Sequence, residues 1–302
     1  MTKNNKLLPA GFCDLIFDEA EKNHRDINAI LDLFLTKQFR LIKTPLIEFE
    51  DKDFNSDDNF KTVDAISNKT LVFRNDITLQ IARLLDSKLK DKELPLKLCY
   101  VGDVLCAKNN GFDDRQQTQI GVEVIGCNSQ NSSLEVIEIA LRALKKVVDT
   151  EILIEFSLPD LLDIFLNEVK IDNSLKPELA QAILTKNLSK IRQILPNNSH
   201  SLEKTLIKNQ DLEEISLEFL QSFPFPKVAT ELQKAQNILS SLSKSDDVKI
   251  CFDLFGDHKS LYHNSISFDI FVNGLASPIA KGGRYKINDL DAVGATIYMN
   301  QI

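Results

Sequence analysis

Four polar side chains in two short stretches are the first candidates for ligand chemistry. Asp76 and Thr78 stand in VFRNDITLQIAR, while Gln119 and Glu123 stand in QIGVEV with Gly121 between them. Asp76 and Thr78 suit an ammonium group held at the end of a strand. Gln119 and Glu123 share one face of an extended chain, and the glycine between them removes a side chain above the sheet. The spacing therefore predicts room for a small ligand there.

The same residues also have structural explanations, which the pattern alone leaves open. Asp76 precedes an apolar run of helical period, so its default role is a helix cap. Arg74 and Thr78 suit surface and cap positions. Gln119 and Glu123 are common residue types on solvated strand faces, and the alternation by itself favours that interpretation slightly.

Two further stretches carry polar or glycine-rich patterns. Tyr262 and His263 stand where the strand of SLYHNSISFDIF begins, and a lone histidine near a strand end is more often structural than catalytic. KGGRYKI contains two glycines, which permit a tight turn or a close approach of the backbone. This stretch lacks the strand-to-helix context of a phosphate-binding loop, so a phosphate site is a weak interpretation.

The elements that must position these residues follow from hydrophobic periodicity. Residues 18–39 and 133–148 have helical spacing, and TLQIARLLDSKL predicts a helix directly after the strand TLVFR. KLCYVGDVLC, QTQIGVEVIG, EILIEFSL and four later stretches alternate as strands, which predicts an antiparallel set. The Asn-Gly pair at the end of SISFDIFVNG indicates a hairpin, and Pro45 restricts its strand to an edge or an irregular position.

A helical block interrupts the strands. It begins at SLPDLLDIFLNEV, where Ser157 is the expected cap and Pro159 falls in the first turn. We therefore expect an α+β protein whose core comprises residues 1–156 and 246–302, with a helical insertion at residues 157–245.

Composition and cysteine usage narrow the function classes. The chain has 302 residues and a formal net charge of −8, and its basic residues are dispersed, which argues against nucleic acid and against an anionic membrane surface. Five widely spaced cysteines without a C-x-x-C pair indicate neither a zinc site nor a disulfide framework. No signal peptide or membrane-spanning run is evident. We expect a cytoplasmic protein without a metal or a cofactor.

Several stretches, taken in order, resemble the catalytic core of histidyl-tRNA synthetase and its relatives in the class II synthetase fold. They are LLPAGFCDL, FRLIKTPLIEFED, FRNDITLQIAR, QTQIGVEVIG, IAKGGRYKI and AVGATIYM. The resemblance implies an antiparallel sheet flanked by helices, a helical insertion, and a dimer built with the first long helix and the Pro45 segment. No anticodon-binding domain follows AVGATIYM, so we expect none.

The departures from the synthetase pattern concern the ATP side of the site. Cys106 and Lys108 stand where synthetases of this branch carry an Arg and a Glu that grip ATP. His258 and Leu261 stand where the resemblance expects an Arg and an Asp, and Gln301 lies nearest the position of a further Arg. Adenylate formation needs cations placed to meet charge that develops on phosphates. The resemblance therefore implies that no residue of this chain is catalytic.

The amino-acid half of the synthetase site is better preserved. By the resemblance, Glu123 accepts from an imidazole N–H of L-histidine, and Tyr262 with His263 closes the ring pocket. The residues that receive the α-amino group are Asp76, Thr78 and Gln119. A carboxylate facing the ring favours its protonated form.

This profile is similar to the regulatory subunits of ATP phosphoribosyltransferase, which pair with a short catalytic subunit in the first step of histidine biosynthesis. The resemblance implies a homodimer within a hetero-oligomer and L-histidine as an allosteric inhibitor. Three alternatives stay open at this point. They are a histidine-activating ligase, a module that binds tRNA-like RNA, and a structural subunit that activates its partner but no longer binds histidine.

Overall fold

The computed structural model describes most of the chain. The described residues are 8–50, 59–108, 114–127, 129–197, 199–200, 202–203, 224–242, 247–253, 255 and 266–302. The strands are β1 (Arg40–Ile42), β2 (Ile47–Phe49), β3 (Lys61–Val63), β4 (Thr70–Phe73), β5 (Leu96–Leu105), β6 (Gln116–Ile125), β7 (Ile152–Ser157), β8 (Val248–Phe252), β9 (Ser267–Val272), β10 (Ala280–Ile287) and β11 (Leu290–Tyr298). The helices are α1 (Phe17–Thr36), α2 (Thr78–Leu85), α3 (Gln130–Leu144), α4 (Leu161–Glu168), α5 (Lys176–Leu184), α6 (Leu188–Ile194) and α7 (Pro226–Ser240).

Eight strands form the central sheet in the order β1-β5-β6-β11-β10-β9-β7-β8. The inner pairs, from β5 to β7, are antiparallel, whereas β1 pairs with β5 and β8 pairs with β7 in parallel. The expected α+β class is confirmed, with a mixed sheet in which the two outermost strands depart from the antiparallel set. A second sheet, β2-β4-β3, stands apart from the first.

Two helices do not begin where the sequence pattern predicted, which was at residue 133 for the first and after a cap at Ser157 for the second. Helix α3 begins at Gln130, because the side chain of Ser129 accepts from the Ser132 N–H at 3.2 Å and caps it. The expected cap at Ser157 is wrong. Ser157 is the last residue of β7, its hydroxyl lies 2.6 Å from that of Ser267 on β9, and α4 begins only at Leu161. Pairing across the sheet has kept Ser157 extended.

The helices that follow β7 pack against the sheet. Ile154 and Phe156 of β7 share one buried apolar cluster with Phe165 of α4, Ile183 of α5 and Val228 of α7. The described residues between β7 and β8 contain helices, as the periodicity predicted. The division of the chain into a core and an insertion stays a prediction.

The central sheet has two different faces. The side chains of Ile120, Val122 and Val124 on β6 are at most 1% exposed and belong to the large core cluster, which also includes buried side chains of α1 and α3. Helix α2 covers part of the other face, where Ile77 and Ile81 pack with Leu98 of β5 in a second cluster. The polar residues of β6 therefore lie under α2.

Two turns shape the strands that complete this second face. The predicted hairpin is confirmed, because Gly274 has a φ of +92° and β9 and β10 pair antiparallel on either side of the turn. Asn288 and Asp289 have φ of +47° and +63° and join β10 to β11. These dihedrals suit a two-residue turn of the primed type. The Asn288 amide also donates to the Ala82 carbonyl of α2 at 2.9 Å, so the hairpin is tied to the helix above the sheet.

No helix in the described part of the chain combines the length and the apolar character that crossing a bilayer requires.

Candidate ligand-binding site

Cross-strand register brings polar and small residues of three strands side by side beneath α2. Glu123 of β6 lies opposite Gly294 of β11. Gly121 lies between Thr296 of β11 on one side and Tyr100 of β5 on the other. Directly opposed residues of neighbouring strands project from the same face of a sheet. These five positions therefore form the floor of one site.

Glu123 is the centre of the hydrogen bonds on this floor. Its Oε1 accepts from the hydroxyl of Thr78 at 3.0 Å, and its Oε2 accepts from the hydroxyl of Tyr285 at 2.6 Å. Its side chain lies over Gly294, where an added Cβ would stand 1.8 Å from Oε2. The carboxyl group can occupy this place only because residue 294 has no side chain.

The environment of Glu123 changes its protonation. The pKa of this carboxyl is raised to about 8, chiefly by burial; the hydrogen bonds from Tyr285 and Thr78 lower it, and the charge of Asp76 raises it. Near neutral pH the group is therefore largely protonated in the unliganded protein. A cationic ligand placed beside Glu123 would favour the ionised form and so lower its pKa.

The start of α2 supplies the rest of the site. Asp76 Oδ1 accepts from the Thr78 N–H at 2.7 Å, and Gln119 Oε1 accepts from the Ile77 N–H at 3.1 Å. Both contacts satisfy N–H groups that have no partner inside the helix. The cap interpretation of Asp76 is thus correct in part, although Ile77 is the N-cap residue. Burial raises the pKa of Asp76, and a cation beside this carboxyl would favour its ionised form.

Two expectations from the strand pattern are wrong. Gln119 and Glu123 do not lie on a solvated face, because α2 covers them and leaves only 2% and 1% of their surfaces exposed. The space above Gly121 is filled by the phenol of Tyr100, whose hydroxyl would stand 2.5 Å from an added Cβ. That hydroxyl also lies 2.7 Å from the Thr296 hydroxyl. The glycine therefore makes room for the Tyr100 side chain and not for a ligand.

Of the six residues assigned to the site from the sequence, the structure brings four together: Asp76, Thr78, Gln119 and Glu123. Tyr262 and His263 lie outside the described residues, as do His258 and Leu261.

Sequence reasoning missed Tyr100, Tyr285 and Thr296. Tyr285 belongs to KGGRYKI and follows Gly283 by two residues. In a strand these two residues project from the same face, so this spacing was a usable signal. The glycines of that stretch lie inside β10 and make no tight turn. The other expectation for these glycines, a close approach to the backbone, is confirmed, because a Cβ on Gly282 would stand 2.3 Å from the ring of Phe268.

The limb that faces β6 carries a different kind of chemistry. Cys106 is buried, and its carbonyl accepts from the side chain of Arg115 at 3.2 Å. The Arg115 guanidinium lies over the rings of Phe60 and Phe12, at 4.6 and 5.6 Å from their centroids. This cation, which the sequence analysis did not single out, holds the N-terminal segment against β6.

A second arginine near the site is structural as well. Arg74 was expected at the surface, but it is 7% exposed and donates to the Thr44 hydroxyl at 2.8 Å and to the Asp103 carbonyl at 2.7 Å. Within the described residues, no group of three or more His, Cys, Asp or Glu side chains could hold a metal ion.

Comparison with known proteins supports the same fold. The family model described as histidyl-tRNA synthetase matches residues 11–302. An ATP phosphoribosyltransferase regulatory subunit of Polynucleobacter asymbioticus (strain DSM 18221 / CIP 109841 / QLW-P1DMWA-1) is 30% identical over 295 residues, which cover 93% of this chain and 76% of the relative.

Two solved structures share the fold. An ATP phosphoribosyltransferase regulatory subunit/histidyl-tRNA synthetase from Bacillus halodurans aligns with a TM-score of 0.81 and 24% identity, over 98% of this chain and 82% of that one. A chain of the ATP phosphoribosyl transferase (HisG:HisZ) complex from Thermotoga maritima aligns with a TM-score of 0.71 and 22% identity, over 92% and 97% of the two chains. The chain therefore belongs to the histidyl-tRNA synthetase family, among its ATP phosphoribosyltransferase regulatory subunits.

Proposed function

We propose that this chain is the non-catalytic regulatory subunit of ATP phosphoribosyltransferase. It would assemble with a short catalytic subunit, support that subunit's activity in the first step of histidine biosynthesis, and transmit feedback inhibition by L-histidine. Membership of the family supports the first part of this proposal. The observation that carries the feedback function is the buried polar cluster around Glu123, where Thr78 and Tyr285 hold the carboxyl over Gly294.

The pocket suits histidine for two chemical reasons. Asp76, Thr78 and Gln119 converge at the start of α2, where a carboxyl and an amide can receive an α-amino group. Glu123 is buried beside this position, and a cationic imidazole ring would pair with its carboxylate and so favour the ionised form. An aliphatic side chain in the same place would leave a buried carboxyl without that partner, which disfavours other amino acids.

The limb that faces β6 argues against a ligase. Cys106 and Lys108 occupy the positions where the synthetase pattern holds ATP, and the nearby Arg115 is engaged with a carbonyl and two aromatic rings. Adenylate formation without pre-placed cations would be severely slowed. Histidine-dependent exchange of pyrophosphate into ATP should stay at background, and clear turnover would favour the ligase instead.

A binding experiment separates the feedback function from a purely structural subunit. L-Histidine at millimolar concentration should raise the melting temperature of the wild-type chain, because a ligand that binds only the folded state stabilises it by mass action. Glu123→Ala should abolish this shift. Glu138→Ala, on the outer side of α3 where Glu138 pairs with Arg142, is the matched control and should keep it.

The same variants test regulation in the complex. With the catalytic subunit added, histidine should inhibit the wild-type and Glu138→Ala complexes and should not inhibit the Glu123→Ala complex. Activation without inhibition in the wild type, together with no thermal shift, would mean that the chain has become a structural activating subunit.

Three finer features belong to the same proposal. We expect a homodimer within the hetero-oligomer, formed with α1 and the segment around Pro45. We expect residues 157–245 to behave as an insertion into the core. A cytoplasmic location fits the five cysteines, none of which is in a disulfide.

A further inference from the structure

An ion pair lies on the floor of the site, two strands away from Gly121. Lys281 of β10 is opposite Thr296 of β11, which is itself opposite Gly121. On its other side Lys281 is opposite Asp269 of β9, and its Nζ lies 3.2 Å from Asp269 Oδ2. Strands in a sheet are about 4.8 Å apart, so the Cα atoms of Lys281 and Gly121 are separated by roughly 10 Å. The pair therefore borders the pocket.

Electrostatics connect this ion pair with the amino-group end of the pocket. Burial, followed by the charges of Asp76 and then Asp269, raises the pKa of Tyr298. Tyr298 lies opposite Gln119 on β6, on the same face. The carboxylates of Asp76 and Asp269 are thus both close enough to act on one phenol.

The charge balance of the pocket assigns a role to Lys281. Glu123 and Asp76 can meet the ring and the α-amino group of histidine, but both are acids and repel its α-carboxylate. Arg74 also lies near, yet its guanidinium is held by Thr44 and by the Asp103 carbonyl. The Lys281 side chain is 40% exposed and lies on the ligand side of the sheet, whereas Asp269 beside it is only 12% exposed.

We propose that Lys281 binds the α-carboxylate of the effector and that Asp269 positions the lysine and moderates its charge. This inference rests on the proposed histidine-binding function and adds the requirement for a free carboxylate. It makes the site selective for the amino acid over histidinol, which keeps the amine and the ring but carries a hydroxyl in place of the carboxylate.

Lys281→Met and two ligands test this assignment. In the full chain, alone and in complex with the catalytic subunit, calorimetry should show about tenfold weaker histidine binding for Lys281→Met, with histidinol binding unchanged within about twofold. Lys286→Met is the matched control. Lys286 lies on the same strand but is exposed on the other face, and its loss should change neither affinity.

Asp269→Asn gives a second test with the opposite sign. Without the neighbouring negative charge, Lys281 attracts a carboxylate more strongly, so histidine should bind several-fold tighter while histidinol does not. A purely structural ion pair predicts that both variants weaken both ligands equally.

Equal losses for the two ligands, or no loss of histidine affinity in Lys281→Met, would overturn the assignment. If the wild-type chain bound neither histidine nor histidinol, the proposed histidine-binding function itself would fail. Melting temperatures without ligand verify that each variant is folded.

Discussion

The two limbs of the β5–β6 ribbon differ in what their polar groups do. On β6, Gln119 and Glu123 are buried under α2 and linked to helix and strand partners by hydrogen bonds that a ligand can replace or extend. At the end of β5, Cys106 is buried and its carbonyl is used by Arg115. Under the proposed function, the buried acid of β6 serves recognition, whereas the contact between Arg115 and the Cys106 carbonyl holds the fold.

The two limbs differ in whether a ligand can change the state of their buried polar groups. Glu123 is a titratable group in a place where ionisation is costly, so a ligand can change its state. The Arg115 guanidinium is stacked on Phe60 and Phe12, which is a stable arrangement that needs no ligand. Four substitutions test this difference between the two limbs.

Gly294→Val should have the largest effect. Its Cβ would stand 1.8 Å from Glu123 Oε2, so the carboxyl must leave its partners Thr78 and Tyr285, and overpacking at a buried site costs about 3 kcal/mol. Urea unfolding should show this loss, and histidine should no longer raise the melting temperature. Gly274→Ala is the comparison. Its Cβ would meet no atom within 4 Å, and only its φ of +92° costs stability, by about 1 kcal/mol. Equal unfolding midpoints for the two variants would contradict the packing argument.

Glu123→Gln should change how stability depends on pH. The folded-state pKa of Glu123 is about 8, above its ordinary value of 4.5, so the folded wild type binds the extra proton across this window and loses stability as pH rises through it. Glutamine is neutral throughout. The variant's stability relative to wild type should therefore increase by about 2 kcal/mol between pH 6 and pH 8.

Thermal or urea unfolding at a series of pH values measures this difference, with Glu138→Gln as the control that should follow the wild type. A constant offset across the range would mean that Glu123 is already ionised in the folded protein.

Tyr285→Phe should lower stability by a smaller amount, and part of this loss should not depend on pH. It removes the hydroxyl that donates to Glu123 at 2.6 Å, so a buried acceptor loses one partner at a cost of about 1–2 kcal/mol. Because this hydrogen bond lowers the pKa of Glu123, its loss should raise that pKa further. Carbon-13 NMR titration of the carboxyl would measure the change, and an unaltered or lowered pKa would be incompatible with this network.

Lys108→Ala should have the smallest effect. An exposed side chain on the limb without a ligand role should change stability by less than about 0.5 kcal/mol and histidine affinity by less than about twofold. A large loss of histidine affinity, measured by calorimetry, would show that this limb still takes part in recognition.

The sequence predicted the strands and most helices because their apolar periods are regular, and it brought Asp76, Thr78, Gln119 and Glu123 into one site through the family resemblance. It did not predict which face of β6 is covered. Alternation identifies two faces, but only the docking of α2, with Ile77 and Ile81 on that face, decides that Glu123 is buried.

Tyr100 and Tyr285 escaped prediction for a related reason. Their roles depend on register across β5, β6, β11 and β10, which local patterns do not encode. The same holds for Ser157, whose cap-like sequence is overridden by pairing with Ser267.

The position of β11 between β6 and β10 has a consequence for synthesis on the ribosome. The Tyr100–Thr296 and Glu123–Tyr285 hydrogen bonds join residues 196 and 162 positions apart. Such distant contacts form late, because the intervening chain must first be ordered. Under the proposed function, a nascent chain cannot bind histidine until β11 has emerged and inserted, and the ligand stabilises only a finished sheet.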